Sequence, residues 1–152
     1  MTEFSVIERS TAVNAPAEEV MPLLVDFHEW VKWSPWEGLD PDLKRTYTGQ
    51  DRGVGATYEW SGNRKAGAGR MKVVGADDES VDIDLVFTKP FKSTSQVRFE
   101  LSPQGDSTRV VWQMRTPKTL MMRVVGIFMN MDKSIGNDLE RGLTGIKRVV
   151  EG

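Results

Sequence analysis

The fold is indicated most clearly by residues 95–116, which read SQVRFELSPQGDSTRVVWQMRT. Apolar and polar side chains alternate on both sides of the turn-forming residues 103–106. Successive side chains of a β-strand point to opposite faces, so this alternation places the apolar residues on one face. The apolar positions are Val97, Phe99, Leu101, Val110, Trp112 and Met114. The segment therefore predicts two antiparallel strands with one apolar face and one solvated face.

The same pattern extends upstream, where turn clusters separate six short strand-like runs between residues 43 and 116. Because the clusters leave no room for crossover helices, the runs predict an antiparallel meander. Two more runs alternate cleanly, with apolar residues at Met71, Val73, Val81, Ile83, Leu85 and Phe87. Acidic and basic side chains on the opposite face are expected to neighbour one another across strands. These are Asp82, Asp84, Lys72 and Arg98.

Different patterns occur at the two ends of the chain. Residues 4–13 are a further strand candidate, and Pro16 then suits the first turn of a short amphipathic helix. The last segment has a helical period, with apolar residues at Met131, Ile135, Leu139, Leu143, Ile146 and Val150. The only surface that matches this stripe is the apolar face of the meander. We therefore expect an α+β fold, in which a curved antiparallel sheet of about seven strands wraps around a long C-terminal helix, with short helices after the first strand.

Short motifs along nearly the whole chain resemble those of a known superfamily. They are Trp33-Ser-Pro-Trp36 with Asp40-Pro41, GVGATYEWSG at 53–62, GAGRM at 67–71, KPF at 89–91, TRVVWQM at 108–114, FMNMD at 128–132 and DLERGL at 138–143. In their order and spacing they resemble the polyketide cyclase/dehydrase-like branch of the START-related (SRPBCC) superfamily, which has the helix-grip fold. The resemblance implies a single START-like helix-grip domain over residues 1–152. It also implies a hydrophobic ligand held between sheet and helix, although only some members catalyse cyclisation or dehydration.

Composition excludes several kinds of partner and site. The chain has 152 residues, with 20 Lys and Arg against 22 Asp and Glu, one His and no Cys. Balanced charge gives no general attraction to nucleic acid or anionic membranes, and a chain without cysteine has no disulfide or thiolate ligand. No stretch approaches the ~20 continuous apolar residues of a membrane-spanning helix. We therefore expect no cofactor, no metal, no nucleic-acid partner, no stable membrane insertion and a cytoplasmic location, with the oligomeric state left open.

The two apolar surfaces predict a ligand cavity between the sheet and the C-terminal helix, with a volume of at least a few hundred Å³. Trp33 and Trp36 flank Pro35 and are expected to close one end of the cavity. The full set of predicted ligand-binding residues is Trp33, Trp36, Tyr58, Trp60, Met71, Leu85, Phe87, Phe99, Trp112, Met114, Phe128, Leu139 and Leu143. Because this lining is almost free of titratable groups, a catalytic residue would have to come from a loop or a less regular strand.

Three polar residues lie on strands with imperfect alternation and are candidates for the cavity: Arg45, Tyr47 and Glu59. Any of them would orient a carbonyl or hydroxyl group of a ligand. His28, the only histidine, is interpreted as a helix-end residue. The glycines at 62–69 precede no helix, so they indicate hairpin turns or bulges rather than a phosphate-binding loop. The methionine-rich residues 119–130 are consistent with a mobile lid, a partner-docking surface or ordinary core.

The sequence therefore favours the binding of a small, neutral or weakly polar, lipid-like or polyketide-like ligand. A cyclase or dehydratase is the first alternative, and it requires a polar group inside the cavity. A protein-interaction module, like the chaperone-activating relatives, is the second alternative, and it would use residues 119–130 or the exposed face of the meander. The sequence leaves the identity of any catalytic residue open for each of these functions.

Overall fold

The computed structural model describes residues 4–38, 40–89, 92–117 and 125–152, without the side chains of residues 4 and 125–134. The elements in chain order are β1 (Phe4–Val13), α1 (Ala17–Val25), a 3₁₀ helix (Phe27–Lys32), β2 (Lys44–Thr48), β3 (Thr57–Ser61), β4 (Ala68–Ala76), β5 (Ser80–Lys89), β6 (Ser93–Gln104), β7 (Ser107–Pro117) and α2 (Val125–Glu151). These elements confirm the predicted strand at 4–13, the six runs that follow and the long C-terminal helix.

The strands form one antiparallel sheet in the order β1-β7-β6-β5-β4-β3-β2. Consecutive strands from β2 to β7 are neighbours, as the closely spaced turns predict, and β1 closes the order by pairing with β7. The connection from β1 to β2 carries α1 and the 3₁₀ helix from one edge of the sheet to the other. The chain thus has the predicted helix-grip fold, a curved sheet around a C-terminal helix.

The faces of the central strands agree with their alternation. The predicted apolar residues of β4 to β7 are buried, except for Phe87, which is partly buried. Their polar neighbours point to the other face, where Arg98 lies opposite Asp82 and donates to its carboxylate at 2.8 and 2.9 Å. Lys72 lies opposite Asp84 in the register of β4 and β5. The outer face therefore carries the cross-strand charge pairs that the sequence indicates.

The helix α2 is held against one side of the sheet. Its stripe residues Leu139, Leu143 and Ile146 are buried in the common core, and its most extensive contacts are with β1. Polar contacts reinforce this position, since Lys147 donates to the carbonyl oxygen of Ala12 at 2.9 Å. Because the helix lies toward β1 and β7, the strands β3 to β5 at the other side are left free to line a cavity.

Candidate functional site

A cavity of about 200 Å³ lies under β3, β4 and β5, between the loop that follows the 3₁₀ helix and Asp138 in the middle of α2. It is partly open to solvent and is lined by Ser34, Trp36, Glu37, Leu43, Tyr58, Trp60, Lys65, Ala66, Met71, Leu85, Phe87 and Asp138. The sequence predicts a continuous cavity of at least a few hundred Å³. The observed space is smaller and occupies one half of the interface between sheet and helix.

The apolar wall of the cavity is built on neighbouring strands. Met71 and Leu85 lie directly opposite each other on β4 and β5, and both are buried. The ring of Trp60 meets the ring of Phe87 edge to face, with centroids 5.4 Å apart. Such aromatic pairs contribute stability beyond the area that they bury. The wall therefore offers an apolar surface whose shape is fixed by the register of the sheet.

The position of Trp60 depends on a glycine in the next strand. Gly69 lies opposite Trp60, and a Cβ atom at Gly69 would come within 2.6 Å of the indole ring. The indole N–H donates to the carbonyl oxygen of Ala66 at 2.9 Å. The glycine and this hydrogen bond together fix the ring against the turn between β3 and β4, where Gly67 has a positive φ of 65°. The expectation of hairpin glycines in this segment is confirmed.

One end of the cavity is polar, because a turn at residues 34–38 brings Glu37 beside β2 and β3. The hydroxyl of Tyr58 donates to Glu37 Oε1 at 3.1 Å. Arg45 donates to Glu37 Oε2 from Nε at 2.8 Å and approaches it with Nη2 at 2.7 Å. The Glu37 side chain is only 11% exposed. Its carboxylate is thus a largely covered ion-pair partner of Arg45, and its second oxygen lies at the tyrosine on the cavity wall.

These contacts raise the pKa values of the tyrosine and the arginine. Burial raises the pKa of Tyr58, and the negative charge of Glu37 raises it further. The hydrogen bond to Glu37 raises the pKa of Arg45. Both shifts reinforce the forms that these groups ordinarily have at neutral pH: Tyr58 is a neutral phenol that donates to Glu37, and Arg45 is a cation whose charge Glu37 balances.

A second carboxylate lines the cavity from α2. Asp138 Oδ2 accepts a hydrogen bond of 3.1 Å from the indole N–H of Trp36, and Oδ1 forms an ion pair with Arg141. Trp36 itself lies on the cavity wall next to Glu37 in the chain. The Trp36–Asp138 hydrogen bond therefore connects the loop that carries Glu37 to the helix.

The structure separates the predicted ligand-binding residues into two groups. Those that line the cavity are Trp36, Tyr58, Trp60, Met71, Leu85 and Phe87. Those that are buried in the core away from it are Trp33, Phe99, Trp112, Met114, Leu139 and Leu143. Phe128 lies in α2, but its side chain is outside the described residues. The sequence has no marker that distinguishes these groups, because both present apolar side chains to the inner face.

Close packing explains why the second group does not reach the cavity. A Cβ atom at Gly142 of α2 would lie 2.5 Å from the Trp112 ring, so the helix and this tryptophan are in direct contact. Phe99 stacks on Trp112 with centroids 5.0 Å apart. The indole N–H of Trp33 donates to the carbonyl oxygen of Leu23 at 2.8 Å, which ties it to α1. Trp33 therefore packs in the core, and only Trp36 closes the cavity.

The three polar candidates have different surroundings. Arg45 reaches the polar end of the cavity indirectly, through its contacts with Glu37. Tyr47 stacks on His28 with ring centroids 4.0 Å apart, and burial raises its pKa. Glu59 is exposed on the outer face of β3, because its neighbours Tyr58 and Trp60 point inward. The expected access of Glu59 to the cavity is therefore corrected by the pleat of the strand.

His28 lies at the start of the 3₁₀ helix rather than in the cavity. Its Nδ1 is 2.8 Å from Asp26 Oδ1, and the same oxygen accepts a hydrogen bond from its backbone N–H. His28 was expected at the surface or at the end of the first helix; that helix ends at Val25, and His28 is an exposed residue in the first turn of the 3₁₀ helix that follows. Within the described ranges, no three His, Asp or Glu side chains are grouped as a metal site requires.

Sequence reasoning missed the residues that make one end of the cavity polar, above all Glu37 and Asp138. Each had a local signal. Glu37 directly follows Trp36, which was expected at the cavity, and Asp138 directly precedes Leu139 of the helix stripe. The sequence thus shows that both residues are neighbours of predicted lining residues. It does not show the turn that directs Glu37 toward the cavity.

Solved structures of three different proteins have a similar fold. Protein CV1439 from Chromobacterium violaceum has a TM-score of 0.68 and 14% identity, with 97% of each chain covered. Norcoclaurine synthase from Thalictrum flavum, solved with dopamine and hydroxybenzaldehyde, has a TM-score of 0.72 and 15% identity, covering 98% of this chain and 87% of the enzyme. The Aha1 dimer from Colwellia psychrerythraea has a TM-score of 0.51 and 18% identity, covering 72% of this chain and 74% of that one. At these identities the likeness shows the fold alone.

Two further comparisons concern sequence. Among curated proteins no match was found. In the part of the chain that the structure describes, no helix is both long and apolar enough to cross a membrane. The family model described as polyketide cyclase / dehydrase and lipid transport matches residues 6–151, nearly the whole chain. This match confirms the resemblance seen in the sequence motifs, and the chain belongs to the polyketide cyclase / dehydrase and lipid transport family.

Proposed function

We propose that this protein binds a small, largely apolar molecule in the cavity under β3 to β5. The observation that carries the proposal is the cavity wall itself, where Trp36, Trp60, Met71, Leu85 and Phe87 surround about 200 Å³ of space. Ligand sites are typically concave and mostly apolar, with a few polar groups that fix orientation. Family membership supports a ligand-binding or cyclase role in general terms.

The charges around the cavity favour a ligand without a strong net charge. Each carboxylate on the wall is paired with a guanidinium, Glu37 with Arg45 and Asp138 with Arg141. Apolar burial, at roughly 25 cal/mol per Å², is then the main source of affinity. A lipid-like or polyketide-like molecule fits this description.

A substitution that fills the cavity tests the proposal directly. Ala66 lines the cavity in the turn between β3 and β4, so Ala66→Phe places a ring in the space with little demand on the core. Ala76→Phe makes the same change at an exposed position at the end of β4. Titration with a neutral fluorescent dye such as Nile red should show binding to the wild type and to Ala76→Phe, and at least tenfold weaker binding to Ala66→Phe. Equal binding by both variants would place the ligand elsewhere.

The second candidate function is a cyclase or dehydratase, and one observation favours it. The sequence predicts Tyr58 as the one titratable residue of the lining and expects any other proton carrier from a loop or a less regular strand; Glu37, in the loop after the 3₁₀ helix, meets Tyr58 at the cavity, with the two oxygen atoms 3.1 Å apart. A carboxylate within reach of a bound substrate is suited to accept a proton in cyclisation or dehydration. Incubation with a polyketide-like thioester, followed by mass spectrometry, tests this function. Product formed by the wild type and lost in Glu37→Gln would support it.

The third function class in the sequence analysis was a protein-interaction module. One of its two candidate surfaces is the apolar segment at 119–130. Residues 118–124 and the side chains of 125–134 lie outside the described residues. The interpretation of this segment as lid, docking surface or core therefore stays a prediction.

A further inference from the structure

The polar end of the cavity has an imbalance between hydrogen-bond donors and acceptors. Three side chains of the wall have hydrogen-bond donors that already donate to acceptors within the protein. Tyr58 donates to Glu37, Trp36 donates to Asp138, and Trp60 donates to the carbonyl oxygen of Ala66. Of the described side chains on the wall, only Ser34 and Lys65 hold other donors, and Lys65 is exposed.

The acceptors at this end keep unused capacity. A carboxylate offers about four lone-pair positions, and a phenol oxygen accepts as well as donates. Glu37 Oε2 faces Arg45, whereas Oε1 receives the Tyr58 hydroxyl and keeps a second lone pair. The Tyr58 oxygen also keeps its acceptor role, because its own proton is directed to Glu37. A ligand hydroxyl that reaches Glu37 Oε1 or Tyr58 therefore finds a free acceptor, and the donors left on the wall are the hydroxyl of Ser34, which accepts from the Trp36 backbone N–H at 3.3 Å, and the exposed Lys65.

The carboxylates at this end are each paired with a guanidinium, and the further charge on the cavity wall is the exposed ammonium of Lys65. Arg45 compensates Glu37, and Arg141 compensates Asp138. An ammonium group would therefore gain little net attraction here, and it would lose its hydration on entering the cavity. A neutral hydroxyl supplies the missing donor at a much smaller desolvation cost. The surplus of hydrogen-bond acceptors and the pairing of the carboxylates thus both favour a neutral hydroxyl group.

We infer that the cavity selects neutral ligands that carry a hydroxyl group, with the hydroxyl donating to the acceptor pair Glu37 and Tyr58. This inference rests on the proposed function, because it specifies the ligand class of the same cavity. A buried acceptor left without a donor is costly, so an otherwise similar ligand that offers only a carbonyl oxygen is disfavoured. Glu37 and Tyr58 are then specificity-determining residues.

Four compounds with one ring system test the inference in the wild-type protein. Naphthylmethanol offers a hydroxyl, acetylnaphthalene only an acceptor, naphthylmethylamine an ammonium and ethylnaphthalene no polar group. Their dissociation constants can be measured by calorimetry or by displacement of a neutral dye. We expect naphthylmethanol to bind about tenfold more tightly than acetylnaphthalene, which corresponds to ~1.4 kcal/mol. We also expect it to bind more tightly than the ammonium compound.

The variant Glu37→Gln tests the assigned acceptor. Arg45 would hold the amide oxygen, so the amide N–H₂ would take the place of Oε1 and present a donor beside Tyr58. The preference for naphthylmethanol over acetylnaphthalene should then fall to threefold or less, in a ratio of affinities. Glu59→Gln makes the same change on the outer face of β3 and should leave the preference unchanged.

Each outcome has a distinct meaning. Absence of binding by all four compounds would overturn the proposed function and the inference together. Clear binding with equal affinity for naphthylmethanol and acetylnaphthalene would overturn the inference and leave the proposed function intact. Tighter binding of naphthylmethylamine than of naphthylmethanol would show a net negative site and would also overturn the inference. The wild-type series decides these outcomes even where Glu37→Gln does not fold.

Discussion

Trp112 lies at the centre of the aromatic core, with 1% of its surface exposed. The rings of Trp33, Trp36 and Phe99 surround it, with centroids between 5.0 and 5.6 Å from its own. The edge of its ring also contacts α2 at Gly142. A residue with this many large neighbours leaves a cavity when it is truncated, because the surrounding rings cannot all move inward.

We expect Trp112→Ala to lower the free energy of unfolding by about 3–5 kcal/mol, the range for deletion of a large buried aromatic side chain. The measurement is chemical denaturation of the purified variant. Arg115→Ala, on the exposed face of the same strand, should change the free energy of unfolding by no more than about 0.5 kcal/mol. A loss below about 0.5 kcal/mol for Trp112→Ala would contradict the assignment of the inner face of β7.

The two tyrosines of the chain give a second prediction at this scale. Burial raises the pKa of both Tyr47 and Tyr58, and Glu37 raises both further. Absorbance of tyrosinate should therefore increase only above the ordinary tyrosine pKa of about 10. In the unfolded chain the same groups lose their protons near pH 10. The unfolded state then binds fewer protons than the native state, so the free energy of unfolding should fall as the pH rises above about 10.

The variant Tyr58→Phe is the control for this alkaline effect. It removes the titrating group with the larger expected shift while keeping the ring in the wall of the cavity. The decrease in the free energy of unfolding above pH 10 should be smaller in Tyr58→Phe than in the wild type. An identical pH dependence in the two proteins would contradict the role of Tyr58 burial.

At the scale of the element, α2 approaches the rest of the molecule through its glycines. A Cβ atom at Gly145 would lie 2.6 Å from the carbonyl oxygen of Trp33 and 3.1 Å from its Cα atom. The Trp33 backbone cannot move away easily, because the Trp33 side chain is buried and donates a hydrogen bond to α1. At Gly136, by contrast, the nearest atoms belong to the guanidinium of Arg9, which is the end of a flexible side chain.

These surroundings predict opposite effects for the same substitution in one helix. Gly145→Ala should lower the free energy of unfolding by about 1–3 kcal/mol, as overpacking of a close contact does. Gly136→Ala should be neutral or stabilising by up to about 1 kcal/mol, because alanine has the higher helix propensity. Thermal or chemical denaturation of both variants measures the difference. If Gly145→Ala were the more stable of the two, the close contact between α2 and the Trp33 backbone would be wrong.

The sequence determines elements better than it determines the path of loops. Alternation predicted the inner residues of β4 to β7 because a strand has only two faces, and burial of one face selects the register. It equally predicted that Asp82 and Arg98 would lie on the outer face. The turn at residues 34–38 has no such period. Its hydrogen bonds, including Glu37 N–H to the Ser34 carbonyl oxygen, depend on neighbouring groups that no local pattern specifies.

For the whole molecule, the inner face of the sheet has two different uses. Toward β1 and β7 the helix packs directly on Trp112, whereas under β3 to β5 the space remains as the cavity. The sequence could predict which side chains face inward, but both halves present the same kinds of apolar residue. The boundary between the packed half and the half that lines the cavity depends on the position of α2 across the sheet. That position follows from close contacts such as Gly142 with Trp112, which are only visible in three dimensions.

The last prediction concerns binding to the whole molecule at different ionic strengths. The formal net charge is −2, and the carboxylates on the cavity wall are paired with arginines. Raising the salt concentration to about 1 M shortens the Debye length to ~3 Å, which removes most attraction between exposed charges and leaves apolar burial almost unchanged. The dissociation constant for a neutral compound such as naphthylmethanol should therefore change by less than about threefold between low salt and 1 M salt, measured by calorimetry. A loss of affinity of tenfold or more for this neutral compound would show that screening of the charges around the cavity alters the site itself, and it would contradict apolar burial as the main source of affinity.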